Sequence, residues 1–326
     1  NYMAEYKGIY GTKVQDFSSN PANPITGQVW YNQTANTLRV FTGTLANGWS
    51  TANSLNTARA NLGGVGIQTA TLAFGGSVGT PSFIGNTEIY NGTNWTEVND
   101  LNTVREYING AGTSTAALAF GGWKPGTSSE TELWNGTNWT EVNNLSTARY
   151  GTQGAGTSTA ALAFGGNQGA PSYGPLGNVE TWNGTNWTEV NDLNTARGAL
   201  AGAGATNTAA LAVGGSEPPI SAKTENWNGS NWTEVNDLNT GRNSFAGAGT
   251  NTAALVFGGA TPPVVAVTET WNGTNWTEGN DLNTARNSLA GAGTSTLALA
   301  FGGSSPTQGT TEEYGETGGT KTITTD

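Results

Sequence analysis

Three markers recur in one register six times along this chain, and that periodicity limits the fold more than any other feature. A Gly-Gly pair follows an apolar residue at Phe74, Phe120, Phe164, Val213, Phe257 and Phe301, at spacings of 44 to 49 residues. The phrase Leu-Asn/Ser-Thr-x-Arg ends at Arg59, Arg105, Arg149, Arg197, Arg242 and Arg286. Ten residues before each arginine stands a tryptophan: Trp49, Trp95, Trp139, Trp187, Trp232 and Trp276. A chain that copies itself at this interval builds one small unit per copy, and each unit relies on its neighbours to cover its apolar surface.

Each copy reads as four short strands. A small-residue segment such as Asn287–Gly293 follows the arginine, and a Thr-Ser or Thr-Asn turn leads into an apolar run such as Ala116–Phe120 that ends at Gly-Gly. A variable loop then leads to Thr-Glu-x-Trp/Tyr, for example Thr131–Trp134. The pair Asn135-Gly136 marks a hairpin, because both residue types tolerate positive φ, and Trp139–Val142 forms the fourth strand. Glycine every few residues leaves no room for a helix of ordinary length. Units therefore start near 53, 99, 143, 191, 236 and 280.

Four antiparallel strands repeated at this period fit a WD-type or a kelch-type propeller. The chain has no histidine, and no Trp-Asp dipeptide closes a unit, so the WD pattern is absent. The diglycine after an apolar strand, the aromatic, the Trp and then the Arg resemble the kelch motif from about Trp49 to Tyr314. The resemblance implies an all-β, kelch-like β-propeller of four-stranded blades. Six blades are favoured, with N-terminal strands (Thr37–Phe41 and the segment at Trp49) completing the last blade beside Thr311–Tyr314 and 322–324, because closure removes exposed sheet edges. The alternative is a seventh, irregular blade that recruits Gly27–Tyr31. Residues 1–26, with Pro21 and Pro24, read as an arm, and 27–326 as one propeller domain.

Composition then removes much of enzymology. With no cysteine and no histidine, the chain cannot carry disulfides, thiolate nucleophiles, Fe–S clusters, His-metal sites or a Ser-His-Asp triad. A net charge of −11 argues against nucleic acid as a partner. The acids recur in two phases, Glu97, Glu141, Glu189, Glu234 and Glu278, and Glu88, Glu132, Glu180, Glu225, Glu269 and Glu312, which reads as a solvated rim. The longest apolar runs are too short to span a bilayer. The opening residues show no apolar signal-peptide core, and Met3 is a candidate native start after Asn1 and Tyr2. Among kelch-like enzymes, copper-radical oxidases need His and Cys-linked Tyr, and sialidase-like propellers need Asp boxes and converging arginines. Neither set is present, no unique carboxylate pair stands out, and so no enzyme activity, cofactor or metal is expected.

The repeated residues read as scaffold. Each arginine should hold a corner by bonding carbonyls or a repeat Glu, and each Trp should pack between blades. The ten Asn-x-Thr/Ser sequons of the hairpins reflect turn chemistry ahead of glycosylation. The loops after Gly-Gly share neither length nor residues. They run Ser77–Ile84, Trp123–Pro125, Asn167–Tyr173, Ser216–Ile220, Ala260–Val265 and Ser304–Pro306. Proline-stiffened loops with apolar tips on a rigid scaffold suit recognition. The candidate partner-binding residues are therefore Phe83, Ile84, Trp123, Tyr173, Ile220 and Val264.

The composition, rich in Asn, Thr, Gly and Ala and poor in Lys, resembles repeat proteins carried by marine bacteriophages. The phrases Met3–Gly8 and Gly27–Asn32 are similar to the starts of such virion-associated chains. That resemblance implies a virion or extracellular component, such as a tail-fibre or surface-decorating propeller. Its partners would be other virion proteins or a host-surface receptor, protein or glycan. The alternative is a bacterial kelch-type adaptor for protein–protein interaction, which would be cytoplasmic.

Overall fold

The computed structural model describes residues 14–20, 28–41, 47–79, 82–316 and 320–322. Two compact units emerge, one from Asn1–Asn47 with Glu316–Asp326, the other from Gly48–Gly315. The sequence had suggested a boundary at 26/27. The phage-like phrase Met3–Gly8 and most of the expected arm lie outside the described residues.

The larger unit contains six four-stranded antiparallel sheets of one design, called blades 1 to 6 in chain order. Blade 1 runs Gly63–Ile67, Ala70–Phe74, Thr87–Tyr90 and Trp95–Val98, each strand paired with the next. Blades 2 to 5 repeat it, beginning at Asn109, Gln153, Ala201 and Ala246. Blade 6 takes Ala290–Gly293, Ala298–Phe301 and Thr311–Glu316 from the C-terminal end and closes with Asn47–Ala52. The ring is thus sealed by one N-terminal strand, which carries Trp49. The expected second N-terminal strand, Thr37–Phe41, lies in the smaller unit, between Val29–Asn32 and Thr320–Thr322. There Gln15–Phe17 pairs parallel with Val29–Asn32, a geometry no blade shares, and Trp30 is fully buried.

Close approach at the axis explains the glycine-rich first strands. Each first strand lies beside the first strands of both neighbouring blades, all the way round. A Cβ on Gly154 would stand 2.2 Å from the carbonyl oxygen of Gly110 in the preceding blade, a distance no side chain can occupy. The axis holds a cavity of about 140 Å³ lined mainly by glycine and alanine from all six first strands.

Between blades, the fourth-strand tryptophans are buried at 5–7% exposure; five pack on the second-strand phenylalanine of the blade before, as Trp187 does on Phe120, and Trp276 shares its cluster with Val213 at that position. Five of their indoles donate to a threonine hydroxyl on the preceding blade's third strand at 3.0–3.1 Å. The sixth, Trp232, meets Val179 where its siblings meet threonine, and its buried Nε1 has no partner.

The two phases of glutamate part company here. Glu97, Glu141, Glu189, Glu234 and Glu278 are exposed, as a rim requires. Glu88, Glu132, Glu180, Glu225, Glu269 and Glu312 are buried, each ion-paired with the fully buried arginine of its own blade. The same carboxylates accept the backbone N–H of the second residue of Leu-Asn/Ser-Thr-x-Arg at 2.7–2.8 Å. Burial pulls every one of these arginines below the ordinary guanidinium value, and the paired glutamate opposes that pull. A buried carboxylate is tolerable only with its charge and lone pairs satisfied, so this phase is scaffold and not rim.

Candidate functional site

The ring presents two chemically different faces. On one, the third-to-fourth hairpins are almost verbatim copies. In Asn91-Gly92-Thr93-Asn94 only the glycine has positive φ; the asparagine acts through its Oδ1, which accepts the N–H groups of Thr93 and Asn94. Asn53, Asn99, Asn143, Asn191 and Asn236 each donate to the hairpin of the following blade, to a backbone carbonyl and to the Oδ1 of Asn94 or its counterpart. The sequon asparagines are therefore structural bonds within and between blades. This face spends its polar side chains on itself.

The other face carries the fourth-to-first connections and the loops after Gly-Gly. The two are tied in every blade, since the residue after each arginine bridges the residue after each diglycine, as Ala60 does Ser77 and Glu106 does Trp123. One position further, Asn61, Tyr107, Gly151, Ala199, Ser244 and Ser288 all take left-handed φ of 49–60°. Each donates its N–H to the carbonyl of its counterpart one blade back, at 2.7–3.2 Å, and Asn61 donates to Ser288. Six backbone hydrogen bonds thus form a closed circle round the axis. The conformation is costly for side-chain-bearing residues, and it persists because the circle and the buried arginines on one side hold it. At the circle lies a bowl of about 70 Å³, lined by its six residues and by those that follow them into the first strands, polar (Asn109, Gln153) and apolar (Leu62, Phe245) alike, with no charged side chain.

An aromatic cluster borders the bowl. Tyr107 packs edge-on to Tyr150 at 5.6 Å, and Tyr150 edge-on to Trp123 at 5.2 Å. Tyr173 is 66% exposed, and its phenol lies near enough to that of Tyr150 to raise the latter's pKa, after burial. Burial, then Glu106 and Tyr150, raise Tyr107 in the same way. The phenols of Tyr107 and Tyr150 are thereby held protonated at physiological pH. Glu106 itself is buried and accepts bonds from Asn61 Nδ2 and Ser77 Oγ. Lys124 pairs with Glu130, which also accepts from Arg105. Burial opposes the ionisation of Glu130, but Lys124 and Arg105 outweigh it and hold its pKa low.

Of the six residues proposed from sequence, the structure brings Trp123 and Tyr173 together, through Tyr150. Phe83 and Ile84 sit half-buried on blade 1, Phe83 bridged to Ser77 and Ile84 bonded to the Gly76 carbonyl. Ile220 pairs with Ser216 on blade 4, and Val264 with Ala260 on blade 5, both half-buried. Sequence reasoning missed Tyr107 and Tyr150. The available signal was that an aromatic stands within two residues after the repeat arginine only ahead of blades 2 and 3, where the other four copies have small or amide side chains.

Among the described residues no group of three or more acidic side chains is placed to hold a metal ion, and no helix is long and apolar enough to cross a membrane. No protein-family model matches the chain, and no curated protein matches it. Among solved structures, that of YjhT superposes with a TM-score of 0.66 over 81% of this chain and 95% of its own, at 11% identity. That likeness decides the fold. The chain is a β-propeller. The propeller's sequence is so far from YjhT that only the architecture carries over.

Proposed function

We propose that this propeller is a kelch-like, non-enzymatic binding module that meets its partner with the face bearing the loops after Gly-Gly. One observation carries the reading: one face repeats itself and bonds to itself, while the other gathers Tyr107, Trp123, Tyr150 and Tyr173 on copies that are otherwise nearly identical. Large aromatic side chains held on a rigid scaffold lose little entropy on binding and dominate interface energetics. The resemblance of the chain to marine phage repeat proteins makes a virion the setting, with the propeller on a tail fibre or capsid surface and a host-surface receptor as partner.

The sister repeats supply substitutions that the fold already accepts. Trp123 becomes serine, as at Ser77 and Ser216, and Tyr150 becomes asparagine, as at Asn243 and Asn287. Labelled protein carrying Trp123→Ser, Tyr150→Asn and Tyr173→Ala should lose binding to host cells, while replacement of Asn135-Gly136 should leave it intact. The opposite result would move the site to the hairpin face. Antibody labelling of purified particles tests the virion setting, and particles free of label would refute it.

A further inference from the structure

We propose that the ligand of this face is a neutral glycan, with one pyranose ring in the bowl at the axis and the next on the aromatic cluster; the inference rests on the binding-face reading above. The bowl is lined by the polar residues Ser244, Ser288, Tyr107 and Asn61 beside apolar ones such as Leu62 and Phe245, and by no charged side chain. Asn109 and Gln153 also line it but donate to Gln153 and to the Leu200 carbonyl, so the serine and tyrosine hydroxyls are the groups that would meet a ring of vicinal hydroxyls, with the apolar residues beside its C–H groups. It has nothing to neutralise a phosphate, sulfate or carboxylate. The charges nearest the cluster are already spent: Glu106 on Asn61 and Ser77, Lys124 on Glu130. A chain of net charge −11 also repels anionic polymers at a distance.

The aromatic half completes the match. A pyranose has an apolar C–H face as well as a polar rim, so it needs a ring face beside hydrogen-bonding groups. Tyr107 provides both at once, since it lines the bowl and packs edge-on against Tyr150. An edge-to-face contact covers one face of one ring and leaves both faces of the other free of that neighbour. Tyr173, 66% exposed, extends the surface outward along blade 3. A bowl of about 70 Å³ is shallow, which suits a chain end or a branch better than a buried small molecule. A protein partner would also use the aromatics, but it would gain little from an uncharged hollow of this size beside them.

The test titrates the whole chain calorimetrically with neutral hexasaccharides (maltohexaose, cellohexaose, mannohexaose, chitohexaose), sialylated and sulfated oligosaccharides, and the neutral polysaccharide fraction of host envelopes. Two variants keep the fold by copying sister repeats, Tyr107→Ser from blades 5 and 6 and Ser244→Ala from blade 4. The expected result is binding of a neutral member, about tenfold weaker in Tyr107→Ser and weakened in Ser244→Ala. Raising NaCl from about 0.05 to about 0.5 M should change it less than about twofold, because no charge pair is screened. Binding of charged glycans alone, failure of every neutral probe including the envelope fraction, or neutral binding indifferent to both variants would each overturn the proposal. Host-cell binding that the loop substitutions abolish but protease treatment of the cells also abolishes would sink the glycan and leave the binding face standing. Cell binding indifferent to the loop substitutions would remove both.

Discussion

Replacing Val179 by threonine should stabilise this protein, although it puts a hydroxyl into a fully buried site. Every other interblade tryptophan donates its indole N–H to a third-strand threonine, whereas Trp232 faces Val179 and leaves its buried Nε1 unpaired. An unsatisfied buried donor costs about 1–3 kcal/mol. Against this, a methyl is exchanged for a hydroxyl, a swap that is isosteric but costs desolvation of the new group. That cost is met locally. At the sister position Thr87 sends its own hydroxyl to the Gly85 carbonyl at 3.3 Å, and Gly177 stands at the same offset before Val179. The net gain should be about 0.5–1.5 kcal/mol, a rise of about 1–5 °C in Tm for a unit of this size. The inverse change, Thr224→Val, strands the indole of Trp276 and should lose about 1–3 kcal/mol. Thermal and urea unfolding followed by circular dichroism would read both. If Val179→Thr lowers Tm, or if the two inverse changes shift it in the same direction, the indole–threonine bond is not what seals the blade boundary.

Trp187→Ala should cost about 3–5 kcal/mol, from the lost burial, the cavity and an orphaned Thr131 hydroxyl, and a near-native Tm would place the tryptophans outside the core. Gly154→Ala should destabilise the ring severely, by more than about 3 kcal/mol, because its Cβ would lie 2.2 Å from the Gly110 carbonyl; ready expression of a stable variant would mean the first strands can move apart at the axis. Arg197→Leu should lose about 3–5 kcal/mol, since Glu225 would be left buried and unpaired, and the double variant with Glu225→Leu should recover part of that loss in urea titrations. Above pH ~10 stability should fall: Tyr90, Tyr107, Tyr150 and Tyr314, all raised first by burial, hold their protons more tightly folded than unfolded, so alkali favours the unfolded chain. A Tm that stays flat from pH 9 to about 11 would contradict this.

The repeat period, the diglycine and the tryptophan-to-arginine spacing were enough to specify the architecture of the larger unit, because each marks a local event that recurs in every blade. Second strands end at Gly-Gly in five blades, a tryptophan marks each fourth strand, and an arginine closes each corner, and none of these depends on knowing what lies across the ring. The pairing that closes blade 6 joins residues 47–52 to 311–316, as the Trp49 register indicates, but no local pattern shows that Thr37–Phe41 stays out of that blade and pairs elsewhere. The burial of Glu88 and its counterparts was equally hidden. Both glutamate phases have the same period and charge and even pair across the third and fourth strands on one face, as Glu225 does with Glu234; the arginine covers the inner, third-strand set and leaves the outer set in water. The site shows the same division. Trp123 and Tyr173 could be picked out as costly residues on variable loops, but Tyr107 and Tyr150 stand in a phrase that reads as scaffold in the other four copies. Their meeting depends on the left-handed circle at the axis, which sets the end of one connection beside the start of the next. Spacing along a repeat can say what each blade is made of; which side chains meet between blades is decided by the curvature of the closed ring.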